Sequence, residues 1–528
     1  MISSRFRFTA VLITTLLVIF APFSRPIAHA ANPSLVIDIG YETATLDPQI
    51  NYDTAAAIEL GNVYDGLVRA VGAKTVKIVP DLATSWSSSA DGKTWTFHLR
   101  PGVTFHDGSP VNAEAVKFTF DRLLTLNQNA VADFIEIGKV DAPEPMTVVF
   151  HLKTPFPSFF TSLTSLWGTG IVSPTAVKKH ATKGDPWATK WLNEHDAGSG
   201  PWMVTKWTHN QSVVLDPYPG YWRGWKGQHV GRVVIQWPKA SSTQRLALEH
   251  GDADIAMNMS PEDLAAVAKE SGIKVENYTG QTIWDIRLNN THGPLQSKLV
   301  RQALSYSFDY DSMVKYVFKG YASRMLGVGP TGLANFFPAK PLYTYDINKA
   351  KSLLAQAGYS SGFTLHVDWA SGDFHSAQMA QIWQADVQPL GIKMVLQEVP
   401  VSEYFRISQK ASTEPDIWIG QWTMDYADDQ QMYWSYFNSN VLPPANSNVM
   451  YYKNPTVNKL LEQAQQAPSA AVQHSIYAKV LPIIYSDAPE VWAVQPDDRI
   501  ALRTNVHGFV YNFLYSSYYY DLYALSKS

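Results

Sequence analysis

The sequence predicts an α/β protein built from more than one domain, and three observations lead there. Apolar residues recur with period two in some segments and with a helical period in others, and the two kinds alternate along the chain. Residues 363–399 read as strand, helix, strand, a unit that implies parallel pairing. After a leader is set aside, about 498 residues remain, too many for a single hydrophobic core.

The elements follow in chain order. Arg5 and Arg7 precede an apolar run from Thr9 to Phe20, and Ala28–Ala30 reads AHA, a small-residue cleavage site. Residues 1–30 are therefore expected to be a secretory signal peptide, cut between Ala30 and Ala31. The run is short of the roughly 20 residues of a membrane span. In "WTFHLRPGVTFHDG", Trp95, Phe97 and Leu99 share a face before Pro101-Gly102, and Val103 and Phe105 follow, which predicts a hairpin over 95–108. Asn112 then caps a helix carrying Val116, Phe120 and Leu123 on one face.

"GVGPTG" (Gly327–Gly332) satisfies a dinucleotide-binding spacing, but Pro330 interrupts it and no helix opens at its third glycine, so it reads as a loop. "DINKAKSLLAQAGYS" places Ala350, Leu353, Leu354 and Ala357 on one helical face, with Gly358 just past its end. Strand "FTLHVDW", a helix over 376–388, strand "IKMVLQEV" and strand "PDIWIGQW" complete the region. Residues 418–429, "WIGQWTMDYADD", then crowd two tryptophans, a tyrosine and three aspartates directly behind a strand, where ligands bind in open α/β sheets. From the residues alone that knot fits a metal site, an acid/base pair, a clamp for a cation, or a solvated loop. The loop "ASGDFHS" after Trp369 has a comparable position.

Composition narrows the function. Removing the three leader arginines leaves 39 basic against 46 acidic residues, a net charge of −7, which is no field for nucleic acid. There is no cysteine, hence no disulfide, no thiolate metal site and no thiol to carry a lipid anchor. Only 17% of residues are charged, against a usual figure of about 25%, while 17 tryptophans and 27 tyrosines supply flat surface with polar handles, suited to lining a cleft. No Pro- or Gly-rich linker separates the domains, so ordinary strands are expected to cross between them.

Four stretches carry a family resemblance. "LATSWSSSADGKTWTFHLRPGVTFHDGSPVNAEAVKFTFDRL" (Leu82–Leu123) resembles the most recognisable segment of the dipeptide/oligopeptide-type extracellular solute-binding proteins, family 5, the receptors of ATP-driven importers. "GSGPWMVTKW" with "YPGYWRG", "VRQALSYSFDYDSMVKYVFKGYA", and "AKSLLAQAGY" with "PLGIKM" resemble later landmarks, in family order. The resemblance implies a two-lobed periplasmic binding protein, a hinged trap with an extra inserted domain. Mapped here, a discontinuous lobe is expected at 31–65, 197–276 and 500–528, the inserted domain at 66–196 and the second lobe at 277–499, with hinges near 276–282 and 496–502. It also implies a monomer in the periplasm that binds a peptide or other small solute, partners a membrane permease and needs neither cofactor nor metal.

The resemblance assigns the knot as well. In peptide-binding members an aspartate after a Trp-x-x step receives the peptide's α-ammonium, and by motif that residue is Asp425. A carboxylate in a dry cleft is costly unless paired, so it selects a ligand that brings a positive charge. Trp422, Thr423 and Tyr426 are expected beside it, Trp369 and Phe374 as aromatic platforms, and Tyr52 and Trp167 from the opposite lobe. Asp428 and Asp429 are expected to be solvated or to cap "QQMYWSYF". Dipeptide receptors place a carboxylate-gripping arginine near what is here Ala370; this chain has none there, and His375 is the one cationisable residue of that loop.

Competing readings are fewer. A non-peptide amine, an oligosaccharide or a metal chelate would suit the same fold, since some relatives carry nickel complexes. A hydrolase is the alternative from another class, but no H-E-x-x-H or G-x-S-x-G occurs, and the one tempting carboxylate pair, Asp425 with Asp428, is better explained for Asp425 by the resemblance. His98 and His106 are expected to be structural.

Overall fold

The computed structural model describes residues 33–528 apart from 129–130, 132–133, 334–342, 441 and 444–447. The leader assigned to 1–30 lies outside the described residues. One large mixed sheet organises the molecule, and its axis is the strand Glu490–Arg503. Its first half pairs antiparallel with Ile283–Leu288, Arg287 opposite Glu490 and Trp284 opposite Val494. Its second half pairs with Ile273–Thr279, from Thr279 opposite Asp497 to Ile273 opposite Arg503. Residues 280–282 therefore step from one half of the sheet to the other alongside the continuous strand.

On one side of that step lie Ile255–Ala256, Ser34–Asp38, Arg232–Gln236, Ser212–Pro217 and Trp202–Thr208. On the other, Ile283–Leu288 pairs with Ile417–Trp422, which runs parallel to Thr364–Ala370, itself parallel to Lys393–Val399. The strand–helix–strand unit is present as read. Its helix, Phe374–Val387, begins two residues early because the Asp373 carboxylate accepts from Ser376 N at 3.0 Å. Helix Ile347–Gln356 is capped by Asp346, and Gly358 leaves it at φ +85°, where a Cβ would be strained.

The predicted 95–108 hairpin does not form. Strand Thr94–Leu99 is an inner strand of a separate antiparallel sheet, flanked by Ala83–Ser88 and Thr147–Leu152, with Ile137–Glu144 beyond. Both of its edges are already taken, so 103–111 closes on itself instead, with Phe105 N donating to Ser109 O and Val111 N to Val103 O, both at 2.8–2.9 Å. Helix Ala113–Leu126, capped by Asn112 as expected, lays Val116, Phe120 and Leu123 on Phe97 and Phe150 in a second core. From that helix Arg122 reaches back, fully buried, to Asp47 and to Gln49 Oε1 (2.5 Å), tying the turn that precedes Tyr52.

His106 is structural: its ring meets Asp196 Oδ1 at 2.5 Å and Gly200 O at 3.0 Å, joining the first two sequence landmarks. His98 is exposed on its strand. No helix among the described residues is long and apolar enough to cross a membrane.

Candidate functional site

The knot after Ile417–Trp422 is folded inward. The helix Gln430–Phe437 buries Met432, Tyr433, Tyr436 and Phe437, and it draws the preceding acids in with it. Asp425 is 6% exposed. Gln431, six residues on, grips it twice: Asp425 N donates to Gln431 Oε1 at 2.9 Å, and Gln431 Nε2 donates back to the carboxylate. Gln281, at the step between the sheet halves, holds the residue before it in the same two-handed way, accepting from Met424 N (2.7 Å) and donating to Met424 O (3.2 Å). The loop is thus pinned from its own helix and from the crossing.

Tyr52 supplies the third partner. Its hydroxyl donates to Asp425 Oδ2 at 2.6 Å from 373 residues away. Trp167 packs against Tyr52 with ring centroids 5.7 Å apart, and its indole N–H donates to Asp53 O at 3.2 Å. No cationic side chain among the described residues pairs with Asp425. Burial pushes its carboxyl up to about 6, and the Tyr52 and Gln431 hydrogen bonds hold it from rising further.

The other expected residues divide. Thr423 Oγ1 lies 3.2 Å from Thr282 Oγ1 at the step. Trp422 is partly buried, edge-on to Tyr436 at 5.1 Å, with its indole N–H unpaired. Tyr426 points away, its hydroxyl donating to Gln430 Oε1 at 2.6 Å inside the core. Trp369 is 7% exposed and packs in the main core, because it shares a strand face with Leu365 and Val367, both fully buried there.

Asp428 and Asp429 are buried, not solvated, since the helix they precede packs inside. Asp428 does cap it, accepting from Gln430 N at 3.0 Å. Asp429 makes no side-chain cap, and burial beside Asp428 pushes its carboxyl up to about 8.

Next to this seam is a cavity of about 720 Å³, lined from both sides of the crossing. Thr54, Asn258 and Met259 contribute on one side; Trp284, Phe318 and Phe374 on the other. Phe374 is 48% exposed and, with Tyr52 at 40%, among the more exposed large side chains. His375 stacks flat on Phe318 at 4.6 Å, and burial pulls its imidazole down to about 4. It is a neutral member of an aromatic wall at neutral pH and does not replace the absent arginine. Arg287 lines the floor but is committed to Asp285, Tyr404 Oη and Gln421 O. No group of three or more potential metal ligands occurs among the described residues. A smaller cavity of about 230 Å³ lies beside Asp65 and Asp81, where Arg223 pairs with Asp81 at 3.1 Å and Arg69 with Asp521 at 3.4 Å.

Gln431, Gln281, Trp284 and Phe318 were not legible as site residues. Gln431 reads as one more polar residue of a helix start, and its six-residue separation from Asp425 matches no helical spacing.

A walled cavity beside a seam between two sheet halves, spanned by the one continuous strand Glu490–Arg503, is a site built to enclose a solute. Residues 77–442 match the family model of bacterial extracellular solute-binding proteins, family 5 (middle region). The chain is 32% identical over 511 residues to the probable D,D-dipeptide-binding periplasmic protein DdpA of Escherichia coli K12, covering 94% of this chain and 96% of the relative. It is 30% identical over 487 residues to the glutathione-binding protein GsiB of Shigella dysenteriae, covering 91% and 92%. The periplasmic binding protein DppA of Helicobacter pylori, solved with the peptide STSA, matches at TM-score 0.79 and 25% identity over 94% of this chain and 98% of that one. CtaP of Listeria monocytogenes matches in fold, at TM-score 0.82 and 22% identity, over 94% and 99%.

The chain therefore belongs to family 5 of the bacterial extracellular solute-binding proteins. It is a periplasmic solute-binding protein of an ATP-driven importer, with the two-lobed fold of that class.

Proposed function

We propose that this protein captures peptides with a free α-ammonium group and hands them to a membrane permease. Asp425 carries the reading. A buried carboxylate whose partners are an amide and a phenol, both neutral, lacks a countercharge that an α-ammonium brings. The relatives named for D,D-dipeptides and glutathione, and the neighbour bound to a tetrapeptide, support peptide cargo.

The lobes in this proposal are 31–65 with 197–276 and 500–528, carrying the insert 66–196, against 277–499. The strand Glu490–Arg503, paired on each side of residues 280–282, supports hinges near 276–282 and 496–502. Closure is driven by the contacts a ligand gains only in the closed form. The protein acts as a monomer without chemistry of its own, binds no nucleic acid, and is released by cleavage after Ala30 with no lipid anchor.

Native mass spectrometry of the chain from residue 31, purified without denaturation, tests the cargo. A ladder of peptide masses above the ligand-free protein is expected. A single discrete non-peptide mass would overturn peptide cargo.

A further inference from the structure

The loop near Ala370 offers no cation for the far end of a peptide, yet the cavity does contain one on another element. Arg499 lies on the second half of the crossing strand and lines the 720 Å³ cavity. Its guanidinium carbon sits 3.7 Å from the centre of the Tyr321 ring, and its Nε donates to Asn277 Oδ1 at 3.0 Å. Those two contacts use the π-face and one donor. The terminal nitrogens, Nη1 and Nη2, carry no hydrogen bond to any described residue.

Its rivals are otherwise engaged. Arg287 gives its fork to Asp285, and His375 is stacked and neutral. The acids on the same wall are also placed. Asp373 caps its helix, and Asp498 accepts from Tyr511 Oη (2.5 Å) and from Ser516. Asp497 lines the cavity two residues from Arg499 and lies within electrostatic reach of it, but forms no ion pair or hydrogen bond that would occupy the terminal nitrogens. Arg499 is thus an oriented fork with an open edge, the arrangement that receives a carboxylate with two parallel hydrogen bonds.

The wall beside it is apolar. Trp284, Phe318, His375 and Phe374 form a continuous aromatic surface, with His375 at 5.4, 4.6 and 4.0 Å from the other three rings. Met259 and Leu264 line the same cavity from across the crossing.

We infer that Arg499 is the carboxylate-binding and specificity-determining residue of this receptor, and that it selects ligands whose free carboxylate neighbours a bulky apolar or aromatic group. The inference rests on the peptide reading for the identity of the carboxylate, but uses neither Asp425 nor its charge. A fork presented from the crossing strand also explains how the chain does without an arginine near Ala370.

The test is isothermal titration with three probes: the dipeptide Ala-Phe, its C-terminal amide, and N-acetyl-Ala-Phe. Arg499→Gln should weaken Ala-Phe by roughly 30-fold or more while leaving the amide where it was, and Arg499→Lys should recover part of the loss. Phe374→Ala should erase a preference for Ala-Phe over Ala-Gly. Unchanged binding of Ala-Phe by Arg499→Gln, an equal loss on acid and amide, or failure of the unmodified protein to bind any of the acid-ended probes overturns the inference. Asp425→Asn is read on the same probes. If N-acetyl-Ala-Phe binds as well as Ala-Phe while the Arg499 effect persists, the ammonium clamp fails and the carboxylate site stands. Retained binding of the amide by Arg499→Gln shows that this variant is folded.

Discussion

The Tyr52 hydroxyl donates to Asp425 Oδ2 at 2.6 Å across 373 residues of sequence, joining the segment after the first strand to the loop after Ile417–Trp422. That bond stabilises the ionised carboxylate that an ammonium ligand needs. Tyr52→Phe removes the donor and leaves Gln431 as the remaining side-chain donor to Asp425. A hydrogen bond to a charged group is worth about 1.5–3 kcal/mol, less for a phenol that is 40% exposed, so the Asp425 carboxyl should rise by roughly one further pH unit. The pH at which Ala-Phe binding is half lost should move up by the same amount. Titrations at a series of pH values check this, and an unmoved midpoint would separate Tyr52 from the clamp.

Asp425 itself should show two pH effects of opposite sign. Its folded carboxyl is raised from 3.8 to about 6, so between those values the folded state holds a proton that the unfolded chain has lost. Ligand-free stability therefore falls as pH rises from about 4 to 6, by about 3 kcal/mol in total, and is flat above. Affinity for an ammonium ligand runs the other way, falling as pH drops through about 6. Asp425→Asn should flatten both curves and abolish most binding at pH 7. Urea unfolding and calorimetry over one pH series read the two together.

How far the sequence could reach depended on whether a feature was local. The Asn112 cap, the Gly358 exit and the strand–helix–strand unit are set by residues within a few positions of one another, and all three were readable. The hairpin at 95–108 failed because strand Thr94–Leu99 takes partners at Ala83–Ser88 and Thr147–Leu152, and the second lies about fifty residues away. The site divides in the same way. Asp425 could be named from its motif, but its support comes from Gln431, Gln281 and Tyr52, and no local pattern marks an amide that must face a particular carboxylate. Trp369 alternates correctly as a strand residue, and alternation cannot say whether its face, shared with Leu365 and Val367, turns to a cleft or to the core.

The glycines of the second landmark have a physical basis that a substitution can expose. A Cβ on Gly198 would stand 2.0 Å from Val63 O, and one on Gly200 2.6 Å from Asn62 O, so both glycines exist to let two backbones touch. Gly198→Ala should destabilise by about 1–3 kcal/mol or more, because backbone must move. Gly224, in the same landmark, has open space around it and only a positive φ of +71°, so Gly224→Ala should cost about 1 kcal/mol. Thermal unfolding of the two variants side by side gives the contrast, and equal losses would show that φ, not contact, is what the landmark requires.

Arg122 and Asp47 test how the first segment is held. Both side chains are fully buried, and the guanidinium spans the Asp47 carboxylate with a further bond to Gln49. Arg122→Met strands a buried carboxylate and should cost about 3–5 kcal/mol. Since residues 47–51 lead directly into Tyr52, the same variant should bind Ala-Phe more weakly even where it stays folded. The double variant Arg122→Met with Asp47→Leu should recover much of the stability. If it recovers none, the pair is not what holds this turn.

Asp429 is a buried acid with no assigned ligand and no side-chain cap to make, and its Oδ1 has no hydrogen-bond partner. That oxygen stands 2.3 Å from where a Cβ on Gly329 would lie, so the loop Gly327–Gly332 is shaped around it. With its carboxyl at about 8 against 3.8 unfolded, the side chain is protonated in the folded protein at neutral pH. Between those values the unfolded chain has released the proton and the folded chain has not, so this group lowers stability steadily as pH rises, by about 1.4 kcal/mol per unit, and stops doing so above about 8. Asp429→Asn keeps the shape and removes the titration. It should be more stable than the parent at pH 7, with the margin widening up to about pH 8 and constant beyond. Unfolding midpoints of parent and variant at pH 5, 7 and 9 decide it; a margin that does not grow with pH would mean the carboxylate finds a countercharge when it ionises.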